Sequence, residues 1–137
     1  MGDLPMSLRQ HETLQWRSAG ELLFREGSHP GGIWLLHSGK VDLLFSTAKG
    51  VTKPLRIAEA PQALGVSDVL AGRPHDCSAI TQTPCLIGFI EKDDFLAILS
   101  EPATCLPVLE LLSDELNSCY DCMRTIYGSG TSRAALH

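Results

Sequence analysis

Short apolar runs that end at glycines are the feature that most constrains how this chain can fold. Residues 20–27 form the first run, residues 33–39 form the second, and a third begins directly after Gly39. A glycine that closes an apolar run indicates a corner where the backbone needs a positive φ, and we expect one at Gly27. Three glycines at this spacing, Gly20, Gly27 and Gly39, predict a repeated β-roll rather than isolated hairpins.

The side chains within these runs alternate as they do in strands with one buried face. Leu23 and Phe24 fall on opposite faces of the first predicted strand, and Leu35 and Leu36 do so in the second. His37 shares a face with Leu35, and we expect this histidine on a strand's solvent-exposed side.

Further strand-like segments continue the pattern as far as residue 91. Glycine and proline corners separate them at short intervals, as at Pro30–Gly32 and Gly72–Pro74. Many short strands with such corners favour an antiparallel roll over a parallel α/β sheet. The predicted fold class is therefore mainly β, a jelly-roll-like antiparallel β-roll with flanking helices. The predicted strands lie near residues 21–25, 33–37, 40–47, 51–59, 62–66, 77–82 and 85–91.

Helical segments are predicted on both sides of the strands. Residues 1–18 are interpreted as a short helix and a lead-in segment. After Glu91 the hydrophobic period changes, and Lys92–Leu99 combines apolar residues at helical spacing with acids in the first turn, where the helix dipole favours them. Pro102 ends this helix.

A longer helix, predicted from about residue 104 to residue 127, has the clearest periodicity in the chain. Its apolar residues are spaced three and four apart, a heptad seam that predicts a dimerisation helix and a parallel homodimer. The other interpretation is a helix packed only on its own β-roll, and Val108, Leu111 and Tyr120 offer a second apolar flank. The seam consists of Leu109, Leu112, Leu116, Cys119, Met123 and Ile126.

Length and charge narrow the class of protein. The 137 residues predict one domain over 1–127 and a flexible Gly/Ser-rich tail or linker over 128–137. The net charge is −5 and the eleven Lys and Arg residues are scattered, so we expect no nucleic-acid binding through this domain. No apolar run approaches the roughly 20 residues that span a bilayer. With no secretory signal and an odd number of cysteines, we expect a cytoplasmic protein without membrane association.

The glycine framework resembles the start of the cyclic-nucleotide-binding domain of Crp/Fnr-type bacterial transcription regulators. In that family a Gly-x-x-apolar-Phe-x-x-Gly strand precedes an apolar strand and Gly-x-Val, as Gly20–Gly27 precedes Gly39–Val41 here. The resemblance covers about residues 10–127 and implies a signal-input domain of a transcription regulator, not an enzyme. In the family a helix-turn-helix follows, and no room for one remains after Ile126, so we expect a fragment of a longer regulator or a stand-alone module.

The resemblance also implies a ligand pocket inside the roll, at a short cassette between two strands. The family pattern there is Gly-Glu, a few small and apolar residues, Leu-x-Gly-x-Pro and then Arg-(Ser/Ala)-Ala. In the family the glutamate holds a ribose hydroxyl, while the arginine and a helix N-terminus bind the phosphate. The corresponding pocket residues in this chain are Gly65, Val66, Ser67, Asp68, Val69, Leu70, Arg73, His75, Cys77, Ser78 and Ala79.

This chain departs from the family pattern at both charged positions. Val66 stands where the family has glutamate, and Cys77 stands where it has arginine. Asp68 and Asp76 add negative charge, which is expected to repel a cyclic phosphate. We therefore expect no binding of cAMP or cGMP in the usual way and an unknown small-molecule effector. Two alternatives stay open, a stand-alone cyclic-nucleotide-binding module and a non-sensing interaction or scaffold domain.

Two basic side chains near the cassette are candidates to replace the missing arginine. Arg73 and His75 are close in sequence, but neither occupies the position that matches the family arginine.

The remaining motifs predict no metal, cofactor or catalytic group. Cys119-x-x-Cys122 is interpreted as two ordinary helix cysteines, with a thiol or metal site in a dimer as the alternative. The histidines are isolated and lack the His-x-His ligands of a cupin enzyme, and no Gly-x-Ser-x-Gly elbow is present. Cys77 and Cys85 are expected to be buried, unreactive thiols.

Overall fold

The computed structural model of this chain describes residues 6–105. The seam residues and the tail lie outside this range, so their predicted roles stay predictions. Eight strands and three helices follow one another, and a further helical turn over 102–105 ends the described range. In chain order they are α1 (Met6–His11), β1 (Thr13–Arg17), β2 (Leu22–Phe24), β3 (Gly32–Ser38), β4 (Lys40–Ser46), β5 (Thr52–Glu59), β6 (Gln62–Leu64), α2 (Val66–Ala71), β7 (Ser78–Thr81), β8 (Cys85–Glu91) and α3 (Lys92–Ser100).

The strands form two four-stranded sheets. Sheet A has the strand order β1-β8-β3-β6, and sheet B has the order β2-β7-β4-β5. Each of these neighbours pairs antiparallel. Because most neighbours are distant in sequence, the chain passes repeatedly from one sheet to the other, as in a jelly roll. The antiparallel β-roll expected from the glycine corners is confirmed, and Gly27 has a φ of 86°.

Side chains from both sheets meet in a shared apolar core. The side chains of Cys77 and Cys85 are buried there, as the sequence predicts. The cluster consists of Leu23, Phe24, Leu36, Val41, Leu43, Ala58, Leu64, Cys77, Ala79, Cys85 and Ile87.

A second core forms where the three helices cover the outer face of sheet A. Leu8 of α1, Val69 of α2 and Phe95 of α3 pack there with Ile33 and Leu35 of β3. This core attaches α2, and with it the cassette, to the roll.

Strand β3 is consequently buried on both faces. Leu35 lies under the helices and Leu36 lies between the sheets, and neither side chain is exposed. The expected alternation of buried and exposed side chains is therefore wrong for β3. It is also wrong for β2, where a register shift against β7 between Leu22 and Phe24 leaves both Leu23 and Phe24 buried.

His37 provides a further correction, because its side chain is only 24% exposed. Its Nε2 contacts the carboxylate of Glu12, whose side chain is 6% exposed. Glycine at position 88 makes this contact possible, since a Cβ at Gly88 would overlap with Glu12. His37 shares the face of Leu35, which the structure covers rather than leaves to solvent.

The lead-in segment predicted for residues 1–18 contains a complete strand, β1. It pairs with β8 over Thr13–Arg17, but four of its five side chains are exposed. Leu14 and Trp16 alternate with polar residues along this strand, but both side chains are exposed, so the alternation marks no buried face. The strand predicted for residues 62–66 ends earlier, at Leu64, because Gly65 adopts a left-handed conformation and α2 begins at Val66.

Candidate functional site

Two glycines define the cassette that connects β6 to β7. Gly65 precedes α2 with a φ of 81°, and Gly72 follows it with a φ of 65°. Residues other than glycine rarely adopt this backbone conformation. At the C-terminal end, the N–H of Gly72 donates to the carbonyl of Val69, and the N–H of Arg73 donates to the carbonyl of Asp68. These bonds turn the chain back along the short helix.

The returning chain brings a guanidinium and an imidazole onto a buried carboxylate. Asp68 Oδ2 lies 3.0 Å from His75 Nδ1, and Asp68 Oδ1 lies 3.2 Å from Arg73 Nε. The side chains of Asp68 and His75 are only 4% and 2% exposed. A carboxylate this deeply buried is stable only when it is paired and hydrogen-bonded, and these two partners meet that requirement.

His75 is fixed from several sides. Its ring stacks on Phe24 with a centroid distance of 4.0 Å and an interplanar angle of 21°. Its N–H donates to the carbonyl of Ser28, and its carbonyl accepts from the N–H of Gly27. A Cβ at Gly65 would lie 3.4 Å from His75 Cε1, so the imidazole lies against the backbone just before α2.

Asp76 lies at the exposed edge of this cluster, 3.9 Å from Arg73 Nη2. Partial burial raises the pKa of the Asp76 carboxyl above its usual 3.8, and the negative charge of Asp68 raises it further. The positive charge of Arg73 and local hydrogen bonds oppose this rise without cancelling it.

The structure brings only some of the predicted pocket residues together. Gly65, Asp68, Arg73 and His75 form one cluster. The other predicted pocket residues lie elsewhere. Val66 and Val69 are buried in the core under the helices, and Cys77 and Ala79 are buried in the core between the sheets. Leu70 is exposed to solvent, and Ser67 and Ser78 are half-buried.

Asp68 requires a correction, because the sequence suggests an uncompensated negative charge. In the structure its carboxylate is paired with the guanidinium of Arg73 and lies within hydrogen-bonding distance of His75 Nδ1. Sequence analysis missed this pairing, and it also missed the stacking of His75 on Phe24. The helix ends at Ala71, before His75, so the helical spacing of Asp68 and His75 does not predict their contact, and only the fold-back after Gly72 reveals it.

A shallow groove of about 330 Å³ lies on sheet B, apart from the cassette cluster. Leu22, Leu44, Phe45 and Ile80 form its apolar part, and Arg25 and Glu26 are among its polar lining residues. Glu26 Oε1 accepts a hydrogen bond from the N–H of Ser46, which ties the carboxylate to β4.

Two features are absent from residues 6–105, the part of the chain that the structure describes. No group of three or more His, Cys, Asp or Glu side chains is arranged to hold a metal ion there. No helix in this range has the length and apolar character needed to cross a membrane.

Comparison with known proteins gives concordant results. The family model described as "Cyclic nucleotide-binding domain" matches residues 14–101, more than half of the chain. Among curated proteins, sodium/hydrogen exchanger 7 of Arabidopsis thaliana is 29% identical over 97 residues, which cover 71% of this chain and 8% of the exchanger. The chain thus spans only a small part of that relative's length.

Solved structures with the same fold include bacterial regulators. The c-di-GMP responsive global regulator CLP of Xanthomonas campestris superposes with a TM-score of 0.76 at 13% identity, covering 85% of this chain and 58% of CLP. The catabolite activator protein of Thermus thermophilus superposes with a TM-score of 0.71 at 19% identity, covering 91% of this chain and 61% of that protein. At these identities the likeness shows the fold alone.

Proposed function

The chain belongs to the cyclic nucleotide-binding domain family, and from this premise we propose that it is the signal-input domain of a Crp/Fnr-type regulator whose cassette does not hold cAMP or cGMP in the usual way. The family match supports a binding role. The fold shared with CLP and the catabolite activator protein supports the regulatory context.

The buried Asp68–His75 pair is the observation that carries this proposal. A cyclic phosphate needs cations and free N–H groups, and here Asp68 engages both Arg73 and His75. The imidazole lies against Gly65, at the end of α2 where a phosphate would bind in the family. The guanidinium and the imidazole are thus both held by a carboxylate of the same cassette.

The two substituted family positions support the same conclusion. Val66 is fully buried in the core under the helices, so it faces away from any ribose in the roll. Cys77 is buried between the sheets and carries no positive charge with which to pair a phosphate. Neither side chain replaces the polar contact that the family residue makes.

Energetics also oppose a phosphate at this position. A cyclic nucleotide would have to displace His75 or compete with Asp68 for its partners. Removing one partner from a buried ion pair costs about 3–5 kcal/mol. That cost is comparable to the total binding free energy at millimolar affinity, about 4 kcal/mol.

Thermal unfolding with and without millimolar cAMP or cGMP tests the proposal. A ligand at a hundredfold excess over its Kd adds about 2.7 kcal/mol of stability and shifts the Tm by several degrees. We expect no shift for this chain, while a cAMP-binding relative in the same assay shows one. A reproducible rise in Tm with either nucleotide would overturn the proposal and favour the alternative, a cyclic-nucleotide-binding module.

A second candidate function is a regulatory domain within a larger transport protein. The observation that favours it is the 29% identity to the plant exchanger, of which the matching segment forms only 8%. The gene and transcript around this segment distinguish the candidates. A helix-turn-helix in the same reading frame supports the regulator, and a series of membrane-spanning segments supports the transporter.

A further inference from the structure

The four edge strands of the two sheets differ in how they resist pairing with another chain. Short length, proline, lysine and bulges all protect exposed edges. Strands β2 and β6 have three residues each. Strand β5 contains Lys53 and Pro54, and its pairing with β4 has a register shift. Strand β1 has none of these features over its five residues.

Strand β1 is regular and apolar on one face. Its register against β8 runs from Thr13 to Arg17 without a shift, so its other backbone edge is straight. Leu14 and Trp16 lie two residues apart on the same face and are 56% and 71% exposed. An exposed tryptophan beside an exposed leucine is typical of an interaction surface.

Arg17, the charged residue of β1, does not protect the exposed edge of this strand from pairing. Arg17 Nε donates to Gln15 Oε1 at 2.7 Å, and Arg17 Nη1 lies 3.5 Å from Glu21 Oε1. The guanidinium carbon also lies 5.8 Å from the ring centroid of Trp34. These contacts turn the positive charge back onto its own chain.

We propose that β1 pairs antiparallel with β1 of a second copy of this chain, about a two-fold axis at Gln15. Sheet A then continues across the axis as an eight-stranded sheet. In this register Leu14 lies opposite Trp16 of the other copy on one face, and Thr13 lies opposite Arg17 on the other face. The inference is independent of the proposed ligand properties and of the predicted helical seam.

The charge on Arg17 and the self-complementarity of β1 favour a second copy of this chain as the partner and an antiparallel pairing. A parallel pair in register would place Arg17 against Arg17, and like charges directly opposite destabilise a sheet. The antiparallel register separates the two guanidinium groups to opposite ends of the paired strands. It also forms two identical Leu–Trp cross-strand pairs, one on each side of the axis. Five paired residues bury less than the about 1,000 Å² of a stable interface, so we expect a weak, concentration-dependent contact.

Site-specific disulfides in the full-length chain test the register, after Cys105, Cys119 and Cys122 are replaced by serine. Gln15→Cys places two thiols on the axis, where paired strands have a Cα separation of about 4.5–5.5 Å, within disulfide range. Thr13→Cys is the matched control, because the two copies of residue 13 lie about 14 Å apart along the strands. We expect covalent dimers for Gln15→Cys only. Equal cross-linking of both variants, or none for Gln15→Cys at high protein concentration, overturns the proposal.

A charge exchange in the natural-cysteine background tests the same register independently. Leu14→Lys/Trp16→Lys places lysines opposite lysines, and we expect about a tenfold or greater weakening of this association in sedimentation velocity. Leu14→Lys/Trp16→Glu places opposite charges across the axis and is expected to restore much of the association. If both double variants associate like the unmodified chain, or if both lose association equally, the register is wrong.

Discussion

At the scale of single residues, the cassette is organised around the buried carboxylate of Asp68. A buried charge of this kind needs polar partners. Asp68 has two, Arg73 and His75, and of these only His75 is buried. The family's charged positions, in contrast, hold Val66 and Cys77, whose side chains belong to two different cores. Asp68 and His75 are thus buried together, while Arg73 and Asp76 remain more than half exposed at the edge of the cluster.

Replacing His75 tests how much the fold depends on this pair. We expect His75→Ala to destabilise the protein by about 2–4 kcal/mol, because it leaves a buried carboxylate with one partner and removes the ring stacked on Phe24. Urea denaturation measures the change. His29→Ala is the control, because His29 is exposed in the loop between β2 and β3. Its free energy of unfolding should stay within about 0.5 kcal/mol of that of the unmodified chain. Equal effects of both substitutions would contradict the account.

Asp76 gives a prediction with a defined pH dependence. Because its pKa is raised in the folded state, the ionised carboxylate lowers folding stability at neutral pH. That penalty disappears as the pH falls through the folded pKa toward 3.8. Asp76→Asn should therefore raise the Tm modestly at neutral pH, since this side chain is 57% exposed, and the gain should vanish near pH 3.8. A gain that grows on acidification would show that the sign is wrong.

At the scale of elements, strands with one buried face and glycine corners could be predicted from the sequence. The predicted strand at residues 85–91 matches β8, and the predicted helix at Lys92–Leu99 matches α3 to within one residue. The sequence indicates β1 only weakly, because its alternation of Leu14 and Trp16 with polar residues extends over five residues and marks no buried face. It could not indicate the burial of both faces of β3, because that depends on three helices from distant parts of the chain.

Two adjacent glycines provide a test of how closely β3 and β8 approach. A Cβ at Gly32 would overlap with the carbonyl oxygen of Ile90, whereas a Cβ at Gly31 would only touch Phe89 at 3.7 Å. We expect Gly32→Ala to lower stability by about 1–3 kcal/mol through overpacking, and Gly31→Ala to have little effect. Thermal denaturation of both variants measures the difference. Similar Tm values for the two would contradict the observed packing of β3 on β8.

The candidate site was only partly predictable from the sequence. The position of the cassette and its two departures, Val66 and Cys77, could be identified from the linear pattern. The grouping of Asp68, Arg73 and His75 could not, because it depends on the chain reversing at Gly72. Linear spacing indicates which residue types are near a pocket, but a fold-back determines which of them are already paired.

At the scale of the whole molecule, the chain joins an antiparallel β-roll to a C-terminal segment with a heptad seam. We expect this seam to form a homodimer in addition to any contact between β1 strands. Leu112→Asp or Leu116→Asp would place a charge in an apolar contact and should abolish the seam dimer in light scattering. Glu110→Asp, a change off the seam, should leave the mass unchanged. A dimer that tolerates both seam substitutions would show that these leucines pack on their own roll.

The central claim is that the cassette is closed by its own side chains, and an NMR titration with cAMP tests it most directly. Backbone amide signals of Gly65–Ala71 and of His75 report on the position where a phosphate binds in the family. The account predicts that these signals do not move up to millimolar nucleotide. Saturable shifts confined to these amides, together with a change in the His75 ring signals, would show that the nucleotide opens the Asp68–His75 pair and would contradict the account.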